Sequence, residues 1–307
     1  MHIPQILANP CLQCLSMCLH TLPFKTRLGG ISTLTKKVFG LGAYHDVRTA
    51  VLRNGLRLPV RLSDYNGRML YLFGTPDPKV ISVCQSLLNP GDVFLDIGAN
   101  FGTVGLLSHT SVEPGGAMHF VEPQPELCKV IRDAIESGSI KSAQVHNCGM
   151  WDEDGELTLN KPDQHTGAAS ISDSGSDSSG SSIQVPVRAV EPFLKETVDG
   201  RSFGAKVDVE GAEPRILPAI LAHSSLRFVL FECNIPEVRE HAWDLISNKK
   251  LAFFGLRKNL FTTRLFAIHT REELDRVHDV LAVATDPDFV PKGDFHPSVL
   301  ADMLESV

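Results

Sequence analysis

The sequence predicts an α/β fold, a doubly wound and mostly parallel sheet with helices on both faces, preceded by an N-terminal extension. Three observations predict it. Short apolar runs alternate with segments whose apolar residues recur at helical spacing, the pattern of repeated β–α units. The run Val93–Ile97 passes into a loop of small residues (Gly98, Ala99, Asn100, Gly102) and then into a helical pattern from Thr103, which is how a nucleotide-binding βαβ unit opens. The apolar runs end at Asp96, at Glu122, at Gly149 to Trp151, at Asp208 with Glu210, and at Glu232 with Asn234, so four of the five ends carry carboxylates. In an open parallel sheet ligands bind at the carboxyl ends of the strands, so these endings fall where a site forms.

The 307 residues suffice for one large or two small domains. With a net charge of −7 and no Lys/Arg-dense segment, no nucleic-acid footprint is expected. Residues 1–45 read as a flexible extension. No acid precedes Asp46, while Lys25, Arg27, Lys36 and Lys37 are basic. That bias fits a presequence or a peripheral membrane contact as well as a plain terminus, and the plain terminus is preferred. Residues 3–22 are too polar to span a bilayer, with Asn9, Pro10, Gln13, Ser16 and His20 among them. Cys11, Cys14 and Cys18 lack the partner cluster a metal site needs; with Leu12, Leu15 and Leu19 they read as a short helix. Cys84, Cys128, Cys148 and Cys233 lie in apolar runs, as buried thiols of a reducing, cytoplasmic protein do.

Asn54-Gly55 and Asn66-Gly67 each signal a hairpin turn, within 51–58 and 62–73. A helix bearing Val80, Val83, Cys84, Leu87 and Leu88 stops at Asn89-Pro90-Gly91, which feeds the strand at Val93. A strand at 117–121 and a helix at 126–136 follow, with Gly138 as its C-terminal cap. A third strand covers 143–148, and Glu153-Asp154-Gly155 turns into another hairpin. Residues 165–182 are rich in Ser, Gly and Asp and read as mobile. Strands at 183–187, 205–209 and 228–231 come next, with a helix around Ile216 to Leu221 that Pro218 should kink and another from Pro236. Late strands at 251–256, 265–268 and 280–283 flank a capping box of Thr270 and Glu273. The domain runs from 46 to 290, and 291–307 is a tail.

Asp96 distinguishes two ligands. A carboxylate at this strand end repels a pyrophosphate but can hold the ammonium of S-adenosylmethionine. The spacing of Gly98, Gly102 and Gly105 also departs from Gly-x-Gly-x-x-Gly, which disfavours a nicotinamide oxidoreductase. The alternative role for Asp96 is to cap the following helix. Glu122 lies about 20 residues beyond the loop, where an acid takes ribose hydroxyls. Gly149 and Trp151 fall near the adenine, Trp151 either stacking there or packing in the core.

The chain resembles the FkbM-type methyltransferases. The matching pieces occur in order: Asp96-Ile-Gly-Ala-Asn-Phe-Gly102, Val121-Glu-Pro-Gln-Pro-Glu126, Asp152-Glu-Asp-Gly-Glu156, Gly167-Ala-Ala-Ser-Ile171, Lys206-Val-Asp-Val-Glu-Gly-Ala-Glu213 and Phe231-Glu232. They span about residues 70–285. After the strand at Ile183 the family tends to have Leu-Asp where this chain has Val190-Glu191, and the tail after Phe254 matches weakly. The resemblance implies a Rossmann-like domain of the class I methyltransferase type. It implies S-adenosylmethionine bound by Asp96, Gly98, Asn100, Gly102 and Glu122, and an active site lined by the Lys206–Glu213 segment. It further implies methyl transfer to a hydroxyl of a small-molecule, lipid or glycan acceptor. Asp208 is then the first candidate for the general base and Glu210 the second, because period-two spacing puts both on one strand face. A divalent metal on Asp208, Glu232 and Asn234 is chemically sensible, but no metal is assigned. A module that binds the cofactor without turnover is the other reading.

Overall fold

The computed structural model describes the chain apart from residues 1–4, 24–27, 42–46, 163–164, 173–179, 248–250, 258, 285–294 and 306–307. In chain order the elements are α1 (Gln5–Thr21), α2 (Gly29–Phe39), β1 (Val47–Val51), β2 (Arg57–Arg61), α3 (Tyr65–Phe73), α4 (Pro78–Leu87), β3 (Val93–Ile97), α5 (Thr103–Ser108), β4 (Ala117–Val121), α6 (Pro125–Ser137), β5 (Ala143–His146), β6 (Gly149–Trp151) and β7 (Gly155–Pro162). They continue as β8 (Ser170–Ser172), β9 (Gly180–Ala189), α7 (Val190–Val198), β10 (Phe203–Val207), α8 (Glu213–Ala222), β11 (Leu226–Glu232), α9 (Pro236–Ser247), β12 (Ala252–Arg257), β13 (Arg264–Ala267), α10 (Arg271–Asp275), β14 (Asp279–Val283) and α11 (Pro297–Glu305).

Eight strands form the central sheet in the order β13-β12-β14-β11-β10-β3-β4-β5. The five from β11 to β5 are parallel, and β14 runs against β11. Side-chain alternation along each strand supplies both faces of this sheet. On β3, Phe94 joins Phe120 and Phe228 in one apolar layer, while Val93, Leu95 and Ile97 join Ala205, Val229 and Phe231 in the other. Strand order reverses between β3 and β10, which opens a crevice at their carboxyl ends. This is the doubly wound, Rossmann-like arrangement. A four-stranded sheet, β6-β9-β7-β8, is inserted between β5 and β10.

The Asn54-Gly55 hairpin forms as β1–β2. Asn66-Gly67 does not turn a hairpin; it lies in the first turn of α3. Asp64 overrides the dipeptide signal by accepting from Gly67 N at 2.6 Å as the helix cap. Gly67 is required there by packing, since a Cβ would lie 2.6 Å from Arg61 O. The extension also differs from the expected flexible one. Residues 5–21 and 29–39 are helices, and α1 buries Leu12 and Leu19 beside α3. Helix α8 continues past Pro218 to Ala222. The capping box forms as expected, with Thr270 accepting from Glu273 N and Glu273 reaching back to the Thr270 N–H.

The Ser-rich segment is partly folded, not a mobile loop throughout. Thr166 N donates to Asp64 Oδ1 at 2.8 Å, Thr166 O accepts from Gln124 Nε2 at 3.1 Å, and His165 stacks on Tyr65 at 5.1 Å between centroids. Its stretch 173–179 lies outside the described residues.

Candidate active site

The loop after β3 forms the first wall of the crevice. Gly98 N and Ala99 N donate to Val121 O at 2.9 and 3.0 Å, tying the loop to the end of β4. Gly98 has φ +69°, and a Cβ on it would lie 1.9 Å from Asp208 O, so two strand ends approach more closely here than any side chain allows. Gly98→Ala is expected to abolish ligand binding and lower the melting temperature by several degrees. Thermal denaturation with and without ligand checks this, and unchanged melting and binding would contradict it. Asn100 lines the cleft at φ +51°, with its Oδ1 accepting from Phe101 N at 2.9 Å. Gly102 does not line the cleft. It holds the left-handed position before α5, where a Cβ would meet Ile131 Cγ1 at 2.9 Å.

Glu122, at the end of β4, lines the cleft and is 3% exposed. Its two oxygens accept from Asn100 N at 2.7 Å and Gln124 N at 2.9 Å. Burial pushes its pKa up to about 7, because those hydrogen bonds only partly replace lost water. Beside it, the buried Gln124 Oε1 has no hydrogen-bond partner and lines the same cleft. Gly149 and Met150 continue this wall.

Two expected ligand contacts are not made by side chains in the cleft. Asp96 is not among the lining residues. Its Oδ2 accepts from Gly105 N at 2.9 Å at the start of α5, and its Oδ1 lies 3.4 Å from Lys206 Nζ. It sits one residue before the strand end, so its side chain stays between the sheet and α5 and is 1% exposed. Trp151 is also off the cleft. Neighbouring Met150 faces the lining, and alternation sends Trp151 to the opposite face, into a cluster with Val187 and Ala212. The Arg215 guanidinium covers it at 4.6 Å from the ring centroid.

The opposite wall is acidic. Asp208, Glu210 and Glu232 each offer an oxygen within 4.8 Å of the others. Asp208 and Glu210 meet by a loop and not by strand alternation. β10 ends at Val207, and Glu210 adopts φ +53° before Gly211 at φ +110°. Glu213, 2% exposed, holds this loop by accepting from Val209 N at 3.0 Å and Gly211 N at 2.8 Å. Asn234 does not join the carboxylates as a third oxygen donor. It donates to Glu232, and its own oxygen faces His278.

Burial, and then the neighbouring carboxylates of Asp208, Glu210 and Asp279, push Glu232 up to about 8. The acidic wall therefore keeps a proton at neutral pH. Folded Glu232 binds a proton through a range in which the unfolded residue, with its ordinary value of 4.5, has lost it. Stability from this group is present below that ordinary value and is lost as pH rises toward 8. Melting temperature should fall across this window, and Glu232→Gln should flatten the fall. Identical pH profiles for both proteins would refute the assignment.

Lys206, named in the sequence only as the first residue of the segment expected to line the active site, sits beneath both walls. It is 6% exposed, donates to Gly98 O at 2.6 Å, and lies 3.4 Å from Asp96 and 3.6 Å from Asp208. Burial pulls its ammonium toward the neutral form, but the carboxylates of Asp208 and Asp96 outweigh this and raise its pKa. Burial pushes Asp96 up against the pull of Lys206 and the Gly105 N–H. The charged pair prevails, because the buried ammonium has counter-charge on two sides. A lysine inside an otherwise apolar central strand was the available signal, since such a charge needs a buried partner. Asn66 and Asp279 also line the cleft; Asp279 is buried with Lys79 in an ion pair.

The cleft is open to solvent, with about 1260 Å³ of space when the solvent at its mouth is included. Residues 96–248 match the family described as Methyltransferase FkbM domain. No curated protein matches the chain. Among solved structures it is similar to precorrin-6y C5,15-methyltransferase from Geobacter metallireducens, at 12% identity, over 70% of this chain and 91% of that one, with a TM-score of 0.41. It is similar to methyltransferase FkbM from Methylobacillus flagellatus at 15% identity, over 65% and 47% of the two chains, with a TM-score of 0.40. A third is an S-adenosylmethionine-dependent O-methyltransferase from Thermotoga maritima, at 11% identity, 68% and 66% coverage and a TM-score of 0.40. The chain thus spans about half the length of the second and two thirds of the third. Likeness at this level carries no information about substrate.

Proposed function

Since the chain belongs to the FkbM methyltransferase family and is a methyltransferase, we infer that it moves the methyl group of S-adenosylmethionine to a hydroxyl oxygen of a small-molecule, lipid or glycan acceptor. One observation carries this reading: the switch-point cleft faces a glycine loop with Glu122 on one side and Asp208, Glu210 and Glu232 on the other.

The donor set fits this cofactor. Its sulfonium and ammonium are cationic, and six carboxyl groups line the cleft (Asp77, Glu122, Asp208, Glu210, Glu232, Asp279), while its Lys206 is already bound to Gly98 O and paired with carboxylates. A pyrophosphate finds no such welcome, which disfavours a nicotinamide cofactor. The backbone at Gly98–Asn100 would hold the amino-acid part, Glu122 the ribose hydroxyls, and Gly149 with Met150 the adenine. When bound, the cofactor supplies an electrophilic methyl on a sulfonium, already activated for displacement.

The protein's work is to orient the acceptor and to take its proton. Asp208 would take the proton from the acceptor hydroxyl, leaving its oxygen free to receive the methyl group. Glu210 is placed to share that role, and the loop clasped by Glu213 fixes both. Glu232, protonated at neutral pH, lowers the negative charge around Asp208.

The test is transfer of labelled methyl from S-adenosylmethionine to a panel of hydroxylated sugars, lipids and metabolites. Incorporation into an ether-linked methyl supports the reading. Incorporation only at nitrogen or carbon would overturn the oxygen assignment, and cofactor binding with no transfer to any class would favour the non-catalytic module.

A further inference from the structure

We propose that the N-terminal layer around α3 is a docking surface for an anionic lipid bilayer. Residues 1–61 hold eight basic residues against one acid, while residues 62–307 hold 21 against 35. The chain is acidic as a whole, so this positive end is a local feature. It is also where apolar side chains reach solvent. Of the nine large hydrophobics exposed among the described residues, six lie between Met17 and Val51.

The layer is built from elements that all pack on α3: α1, α2 and the β1–β2 hairpin. α1 contains no Asp, Glu, Lys or Arg. Its inner face buries Leu12 and Leu19, and its outer face exposes Met17 (66%) with the thiols of Cys11, Cys14 and Cys18. An uncharged outer face is unusual for a helix at the surface in water. On α2 the outward residues are Leu34 (61%) and Val38 (37%), next to Lys37. On the hairpin, exposed Val47 and Val51 pair across the strands with Arg61 and Arg57. Arg48 on β1 donates to Asn9 Oδ1 on α1 at 3.0 Å, and Arg53 in the hairpin turn donates to Leu22 O just past α1 at 3.2 Å, so the hairpin is tied to α1 at two points.

Apolar tips set among basic groups suit the headgroup–acyl boundary of an anionic leaflet, where one enters the boundary and the other meets phosphate. A second copy suits it less. Basic face against basic face repels, and elsewhere only Leu260, Phe261 and Val299 are exposed large hydrophobics among the described residues, too few for a matching apolar patch. No described helix is long and apolar enough to cross a membrane, so the contact is peripheral.

The test is co-sedimentation of the full chain with phosphatidylglycerol–phosphatidylcholine vesicles and with pure phosphatidylcholine vesicles, at low and high salt. The expected result is binding to the anionic vesicles, weakened by salt and at least about tenfold by Lys37→Glu with Arg57→Glu. Met17→Gln with Leu34→Gln should weaken it at constant charge. Circular dichroism shows that each variant is folded. Three results would overturn the proposal: no sedimentation with anionic vesicles, equal binding to neutral ones, or folded variants that bind like wild type. Dimerisation of the free chain abolished by the same substitutions, without vesicle binding, would reassign the face to a second copy.

Discussion

Asp208→Asn lowers kcat by roughly 10²- to 10⁴-fold and leaves the dissociation constant of S-adenosylmethionine within about threefold of wild type. The amide keeps the shape of the carboxylate and loses the ability to take a proton. The surrounding geometry should survive, since the loop carrying Asp208 is held by Glu213 through the backbone of Val209 and Gly211. Glu210→Gln should lower kcat less. Asp208 also faces Lys206, so the substitution removes one of that ammonium's counter-charges. Its effect on stability is therefore measured beside the kinetics. A loss seen mainly in cofactor affinity, with kcat preserved, would make Asp208 a binding residue and remove the general-base assignment.

Lys206→Met destabilises the protein by about 3–5 kcal/mol, the range for breaking a buried ion pair by removing one partner. Asp96 then stays buried with only the Gly105 N–H as partner. The sign of the pH dependence follows. With the ammonium gone, folded Asp96 moves further above its ordinary value, and its stability contribution is retained at acid pH and lost as pH rises. The melting temperature of the variant should therefore drop more between pH 5 and pH 8 than that of wild type. Ligand binding should weaken as well, because Lys206 fixes the carbonyl of Gly98 at 2.6 Å. A variant as stable as wild type at every pH would show that the pair contributes nothing to the fold. Lys206→Arg tests charge without the fit: a partial rescue of stability is expected, with poorer binding, because the larger guanidinium must enter a space shaped for an ammonium.

Much of this was legible in the sequence where one local feature dictates one local structure. Val93 to Gly105 could only be strand, tight loop and helix, and Gly98 proves to be needed by backbone approach. Glu122 and Asp208 were found from their place at strand ends, which the parallel sheet converts into walls of one cleft. What could not be read depends on contacts across the fold. Asp96 looks like a ligand group in one dimension; its burial under α5 decides otherwise. Trp151 turns away from the adenine position by a single step of strand alternation. Asn66-Gly67 became a helix because a cap at Asp64 and the backbone of Arg61 required it. Asp279 reaches the site only because the last strand, β14, inserts beside β11, a pairing of distant segments.

The most direct measurement is calorimetric titration of the full chain with S-adenosylmethionine and S-adenosylhomocysteine, with NAD as control and Glu122→Gln alongside. Micromolar-range binding of both is expected, tightening as pH rises through about 7 as Glu122 loses its proton, and at least about tenfold weaker in the variant. NAD should not bind. A folded protein that binds neither cofactor form, or that binds NAD in their place, would contradict the account.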